Sequence, residues 1–235
     1  MFKVALLGSS GRMGTLVTKL LEKEFKKDFK VVCSLSKTSD WSLALQADVL
    51  IDFSLPDASL HWIEFASKQK KKIPAFICGT TGWKTDARKK LEEFSKKTAV
   101  LWSSNFSTGV YLLSKILKDY TPTFEKLGYS PVIVETHHQH KKDAPSGTAL
   151  TLRESIDPKN KKKILIHSFR TGEVIGNHEI TFNGVSDHII LAHHALDRAL
   201  FARGSIQAAL WLAKKKKKRP TLKGWFKMED FFGEL

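Results

Sequence analysis

Cysteine is scarce in this chain: 235 residues carry only Cys33 and Cys78. Each lies in an apolar, strand-like run, and neither has the paired spacing of a zinc motif. A disulfide framework is therefore not expected; two buried thiols in a reducing cytoplasm are. Long apolar runs are missing as well. No stretch approaches the ~20 residues that cross a bilayer, so no membrane association is expected. The opening M-F-K-V-A-L-L is halted by Gly8 and has no charged leader or small-residue cleavage site, so it reads as a first strand and not as a signal peptide. Acidic residues are few, 24 against 39 Lys and Arg, for a net charge of +15. That excess lies largely in lysine clusters: Lys68 with Lys70 to Lys72, Lys89 with Lys90, Lys161 to Lys163, and Lys214 to Arg219. They fall at expected helix ends or loops with no aromatic residues alternating among them. The clusters read as solvated surface, with no specific nucleic-acid partner.

What is present is an alternation of strands and helices. Phe2 to Leu7, Phe29 to Leu35, Val49 to Phe53, Ile73 to Cys78 and Val100 to Ser103 read as five strands. Between them lie a helical stripe from Arg12 to Glu24, a helix opened by Pro56 with Ser54 as its cap, and a third capped by Thr85 or Asp86. The pattern predicts an α/β fold with a doubly wound parallel sheet. Each strand ends in small polar residues: Gly8-Ser9-Ser10, Ser54, Gly79-Thr80-Thr81 and Ser103-Ser104-Asn105. Ligands of open α/β sheets sit at that edge. Beyond Val110 the texture changes. Strands at 132–134, 164–169, 178–182 and 187–192 are separated by glycine turns, and Asn183-Gly184 suggests a tight hairpin, so a second, α+β domain is expected. A helix over 199–212 follows. Trp225, Phe226, Phe231 and Phe232 in the tail should pack back onto the body.

Two motifs carry chemistry. Gly8-Ser9-Ser10-Gly11-Arg12-Met13-Gly14 follows a strand and opens a helix, an arrangement in which backbone N–H groups and the helix dipole meet a pyrophosphate. The second strand ends without the acid that would grip a ribose 2′-hydroxyl; Lys37 stands there and could meet a 2′-phosphate. The run Glu135 to Ala149, E-T-H-H-Q-H-K-K-D-A-P-S-G-T-A, concentrates histidines, lysines and a Ser146-Gly147-Thr148 helix start. Histidine is the natural acid or base near neutral pH. The lysines complement anionic substrate groups, and their charge argues against a metal among the histidines. His193-His194 reads as a surface or interface pair.

These motifs resemble the 4-hydroxy-tetrahydrodipicolinate reductase family (dihydrodipicolinate reductase) of lysine and diaminopimelate synthesis. The resemblance rests on the histidine run, G-x-x-G-R-M-G at 8–14, G-T-T-G at 79–82, S-N-F-S-x-G-V at 104–110 and R-T-G-E-V-I-G-N-H at 170–178, all in order. It implies a Rossmann-type dinucleotide-binding domain over 1–106, completed by 206–235. Residues 107–205 would form an α+β substrate-binding and tetramerisation domain of a cytoplasmic homotetramer. It implies hydride transfer from NADPH or NADH to a cyclic imine dicarboxylate, with His137 and Lys141 as proton-transfer groups. His138, Ser146, Gly147 and Thr148 would bind the substrate. Gly8, Ser9, Ser10, Gly11, Arg12, Met13, Lys37, Gly79, Thr80, Thr81, Ser103, Ser104, Asn105 and Phe106 would line the cofactor. Two departures stand out. The stretch between the second and third strands is short, and Lys37 or Thr38 replaces the acid that some relatives place on the ribose, which favours NADPH. Other readings on the same residues are a non-catalytic NADP-binding sensor, a basic nucleic-acid binder, and a semialdehyde or homoserine dehydrogenase. The lack of a cysteine near a histidine motif disfavours the semialdehyde type.

Overall fold

The structure is a computed structural model and describes residues 1–36, 39–70 and 72–234. It divides into two units: Met1–Phe106 with Ala199–Leu235, and Ser107–Arg198.

The first unit is built on six parallel strands: β1 (Phe2–Leu7), β2 (Phe29–Leu35), β3 (Val49–Asp52), β4 (Ala75–Cys78), β5 (Ala99–Trp102) and β10 (Gly224–Phe226). Their order is β10-β5-β4-β3-β1-β2. Every residue of β3 and β4 is buried, as expected of a sheet covered on both faces. On one face Val4, Leu6, Ile51, Ile77 and Leu101 meet α1 (Arg12–Lys23), α6 (Ala199–Lys218) and α7 (Met228–Phe232). On the other Ala5, Leu7, Leu50, Phe76 and Val100 meet α2 (Pro56–Ser67) and α3 (Thr85–Phe94). The chain leaves β1 for β2 on one side and returns to β3 on the other, so the sheet reverses its winding between β1 and β3. Ligand crevices form at such a point.

The second unit has a four-stranded mixed sheet, order β7-β6-β8-β9. Its strands are β6 (Ser130–His137), β7 (Leu165–Arg170), β8 (Asn177–Asn183) and β9 (His188–His194), backed by α4 (Thr108–Lys126) and α5 (Gly147–Ile156). One face is a compact core of Leu113, Leu117, Ile133, Leu152, Ile180 and Phe182. The other exposes Leu165, Phe169 and Ile190, each about half accessible.

Several local expectations are corrected. The α2 cap is Leu55, because the Ser54 hydroxyl turns instead to the carboxylate of Asp52. Lys84 precedes α3, and Thr85 is its first residue. Gly184 to Asp187 makes a four-residue hairpin loop closed by the Gly184 N–H to the Asp187 carbonyl, longer than the tight turn expected from Asn-Gly. The final helix runs on to Lys218, so the boundary at 206 falls inside it and Lys214 to Lys218 are helical. Lys216 is not solvated surface. It is 5 % exposed, donates to the Thr98 hydroxyl, and burial lowers its pKa to about 8. The four tail aromatics all pack against the first unit's cores.

Candidate active site

In the first unit, the carboxyl edge of the sheet is shaped by glycines. Gly8 has φ +82°, and a β-carbon built on it would sit 2.5 Å from the Phe53 carbonyl oxygen. One on Gly14 would lie 2.1 Å from the Gly8 carbonyl, so α1 packs against the loop only because Gly14 has no side chain. A β-carbon on Gly79 would lie 2.2 Å from Cε1 of the Phe53 ring. Gly11 differs: its nearest neighbour would be at 3.4 Å, and no side chain caps the α1 N-terminus. This leaves an open cradle at a helix N-terminus, which fits a pyrophosphate. Ser9, Ser10, Arg12, Met13 and Thr81 are exposed or half-buried around it. Thr80 is buried; its hydroxyl accepts the Ser54 N–H at 3.0 Å and its carbonyl accepts the indole N–H groups of Trp83 and Trp102. Ser103 receives the Asn105 N–H at 3.1 Å and, with Ser104 and Asn105, is half-buried. Phe106 is 1 % exposed, belongs to the core, and its ring meets that of Phe53 edge-on. Lys37 lies outside the described residues.

In the second unit, β6 alternates Ile133, Glu135 and His137 on its buried face. A face that begins apolar therefore ends in an acid and a base. Side chains two apart on a strand are neighbours, and His137 Nδ1 lies 2.5 Å from Glu135 Oε2. His178 stands directly opposite Glu135 on β8, its ring edge-on to His137 at 5.1 Å. Arg170, opposite His137 on β7, donates to Glu135 Oε1 at 2.9 Å. The Ser146 backbone N–H reaches the same oxygen at 3.2 Å, while its hydroxyl meets His178 Nε2 at 3.2 Å and caps α5 through Ala149 N–H. Lys141 pairs with Asp143 at 2.8 Å. A β-carbon on Gly176 would lie 3.0 Å from His137 Nε2, so glycine leaves that nitrogen room.

Burial pushes the Glu135 carboxyl up, but hydrogen bonds from Ser168, Arg170 and Ser146 and the field of His137 outweigh it and hold it at about 2. Burial lowers His137, and Lys141 and Arg170 push the same way against Glu135. Burial, then His137, brings His178 down to about 3. The site is thus a carboxylate, two neutral imidazoles and two cations at neutral pH. Glu135, His137 and His178 bring ligand atoms within 4.8 Å of one another, yet Arg170 occupies one Glu135 oxygen and Lys141 adds repulsion, so the set fits a proton better than a metal.

Residues 2–106 match the family described as dihydrodipicolinate reductase, N-terminus, and residues 109–232 match its C-terminus. The chain belongs to the dihydrodipicolinate reductase family. It is 37 % identical over 215 residues to the 4-hydroxy-tetrahydrodipicolinate reductase of Bdellovibrio bacteriovorus, covering 91 % of each chain. It is 36 % identical to the enzyme of Rickettsia rickettsii, covering 92 % of this chain and 95 % of that one. The fold is similar to a dipicolinate-bound dihydrodipicolinate reductase from Paenisporosarcina, with TM-score 0.72, 20 % identity and 97 % of each chain covered.

Of the residues that the reductase resemblance singled out in the histidine run, His137 and Ser146 join the buried cluster. His138 and His140 form a separate ring contact at 6.2 Å. Ser146 and Thr148 are buried at the start of α5 with Gly147 half-buried between them. Sequence reasoning gave no role to Glu135, Asp143, Arg170, Gly176 or His178. Glu135 was within reach, because the alternation Ile133, Glu135, His137 continues the period of a strand. His178 and Arg170 arrive from other strands.

Proposed function

We propose that the chain reduces 4-hydroxy-tetrahydrodipicolinate, by way of dihydrodipicolinate, to tetrahydrodipicolinate in lysine and diaminopimelate synthesis, with Glu135 and His137 handling the proton. One observation carries this reading: a buried acid–histidine pair ringed by Arg170, Lys141 and the start of α5. A proton-transfer group stands among groups that hold an anion, as a dicarboxylate substrate requires.

The family uses NAD(P)H, and the Gly8–Gly14 cradle fits it: the first turn of α1 would take the pyrophosphate, with Gly79 to Thr81 and Ser103 to Asn105 beside it. Reduced nicotinamide, when bound, supplies the hydride. NADPH is preferred over NADH because Lys37 stands where an acid would select against a 2′-phosphate.

Hydride addition to the unsaturated ring leaves it electron-rich, so a proton must follow. The Glu135 carboxylate lies against Nδ1 of His137, where its charge stabilises the imidazolium, while Nε2 faces the space that Gly176 leaves. A bound dicarboxylate offsets the charge of Lys141 and Arg170, two of the causes that lower the His137 pKa, so substrate raises the proton affinity of its own donor. Lys141, steered by Asp143, is the second donor. His138 and the backbone of Gly147 and Thr148 bind carboxylate oxygens. The exposed Leu165, Phe169 and Ile190 on the outer sheet face supply a surface for homotetramer assembly. No helix among the described residues is long and apolar enough to cross a membrane.

The test supplies enzymatically generated 4-hydroxy-tetrahydrodipicolinate with NADPH and follows loss of NADPH absorbance. The wild type should oxidise the cofactor and the His137→Gln, Lys141→Ala double variant should not. An inactive wild type, or a fully active double variant, overturns the proposal.

A further inference from the structure

At the end of β3 a carboxylate lies wholly inside the protein. Asp52 is 0 % exposed. Its hydrogen-bond partners among the described residues are uncharged donors. Oδ1 accepts the Ser54 N–H at 2.9 Å and the Ser54 hydroxyl at 2.5 Å; Oδ2 accepts the Ser59 hydroxyl and the Cys78 thiol, the latter at 3.9 Å. Two hydroxyls, a thiol and a backbone N–H thus surround the carboxyl group. Burying a carboxylate without a cation is costly, and burial accordingly raises its pKa against the pull of Ser54, Ser59 and Thr80. A parallel sheet does not need a charge there, since Val49, Leu50 and Ile51 already fill the strand.

The donors come from three places. Ser54 belongs to the loop after β3, Ser59 to the first turns of α2, and Cys78 to the end of β4. The Ser54 N–H is shared with the Thr80 hydroxyl at 3.0 Å, which ties in the loop after β4. Between Asp52 and Ser54 lies Phe53, whose carbonyl presses on Gly8 and whose ring covers Gly79. Asp52 therefore sets the one peptide against which both glycine loops of the sheet edge are fitted.

We propose that Asp52 is a positioning residue for the dinucleotide: it holds the loops after β1, β3 and β4 in the shape that receives the cofactor, without touching it. This rests on the dinucleotide reading above. Its consequence is a division of effects. Loosening Asp52 should weaken cofactor binding while leaving the proton-transfer residues of the other unit intact.

The experiment measures NADPH binding by nucleotide fluorescence, melting temperature without cofactor, and turnover at saturating NADPH. In Asp52→Asn an amide N–H replaces one carboxylate oxygen, so the Ser54 and Ser59 hydroxyls must reorient and the hold on the loops is weaker. Its Kd for NADPH should rise about tenfold, the equivalent of one charge-assisted hydrogen bond, with turnover at saturating cofactor within about twofold of wild type. Ser59→Ala, which removes a single donor and leaves the carboxylate in place, should raise Kd about threefold, and it decides the matter if Asp52→Asn does not fold. A role in stability alone would lower the melting temperature and leave Kd unchanged in the folded protein, and that result overturns the inference. A wild type that binds neither NADPH nor NADH overturns the dinucleotide reading itself, and this inference with it.

Discussion

Oε2 of Glu135 lies 2.5 Å from Nδ1 of His137, two positions along the same strand and on its buried face. A strand's pleat makes this pairing almost automatic once both residues face inward. The strand also runs further than its apolar residues: Val132, Ile133 and Val134 start the ladder, but pairing with β7 continues to His137.

The pair predicts a graded loss of activity. Glu135→Gln keeps the shape but lets an amide face Nδ1, so the imidazolium loses support. Turnover should fall about 10²-fold, and His137→Gln at least as far. Because the two act together, the double variant should be little worse than His137→Gln alone, which steady-state kinetics would show.

Gly11 and Gly14 should respond oppositely to the same methyl group. Gly14→Ala places a carbon 2.1 Å from the Gly8 carbonyl and should cost roughly 3 kcal/mol of stability. Gly11→Ala meets nothing nearer than 3.4 Å, so its melting temperature should stay close to wild type while NADPH affinity drops. Thermal melts with and without NADPH distinguish the two.

Stability should fall with acid in two stages. His178 drops from 6.5 to about 3 on folding, and Glu135 from 4.5 to about 2. Both bind fewer protons folded than unfolded, so both contributions are complete near pH 7 and are lost as pH falls, His178 from 6.5 downward and Glu135 from 4.5 downward. His178→Gln should make the melting temperature less steep between pH 6.5 and 4.5, His137 and His193 keeping part of the slope, and leave the loss below 4.5. An unaltered slope in that upper window contradicts the assignment.

Cofactor choice is tested at Lys37. Lys37→Glu puts a carboxylate where a 2′-phosphate would lie, so kcat/KM for NADPH should fall by about tenfold or more with little change for NADH. Equal use of both cofactors by both proteins would remove Lys37 from the account.

Much of this was legible in the chain. β1 and β2 end where their apolar runs end, Pro56 opens α2, and Ser146 caps α5. These are local matters, set by periodicity, a locked φ or a hydroxyl within one turn. Capping failed where a closer partner competed: Ser54 is a good cap, but its hydroxyl goes to Asp52 two positions back, whose burial the local sequence does not display. The lysine run failed likewise. Five consecutive lysines read as solvated, yet a helix turns every residue by 100°, and Lys216 points inward to Thr98.

By itself, the sequence determined the alternating strands and helices, the glycine loop behind β1 and the presence of His137 and Lys141 in one run, because each depends on neighbours a few positions away. Only the tertiary structure decided the surroundings of His137. Arg170 is 33 positions on and His178 is 41; strand register brings both beside Glu135, where hydrogen bonds hold the carboxylate ionised against its burial and burial lowers the pKa of His178. Proton affinity is a property of that enclosure, not of the residue types.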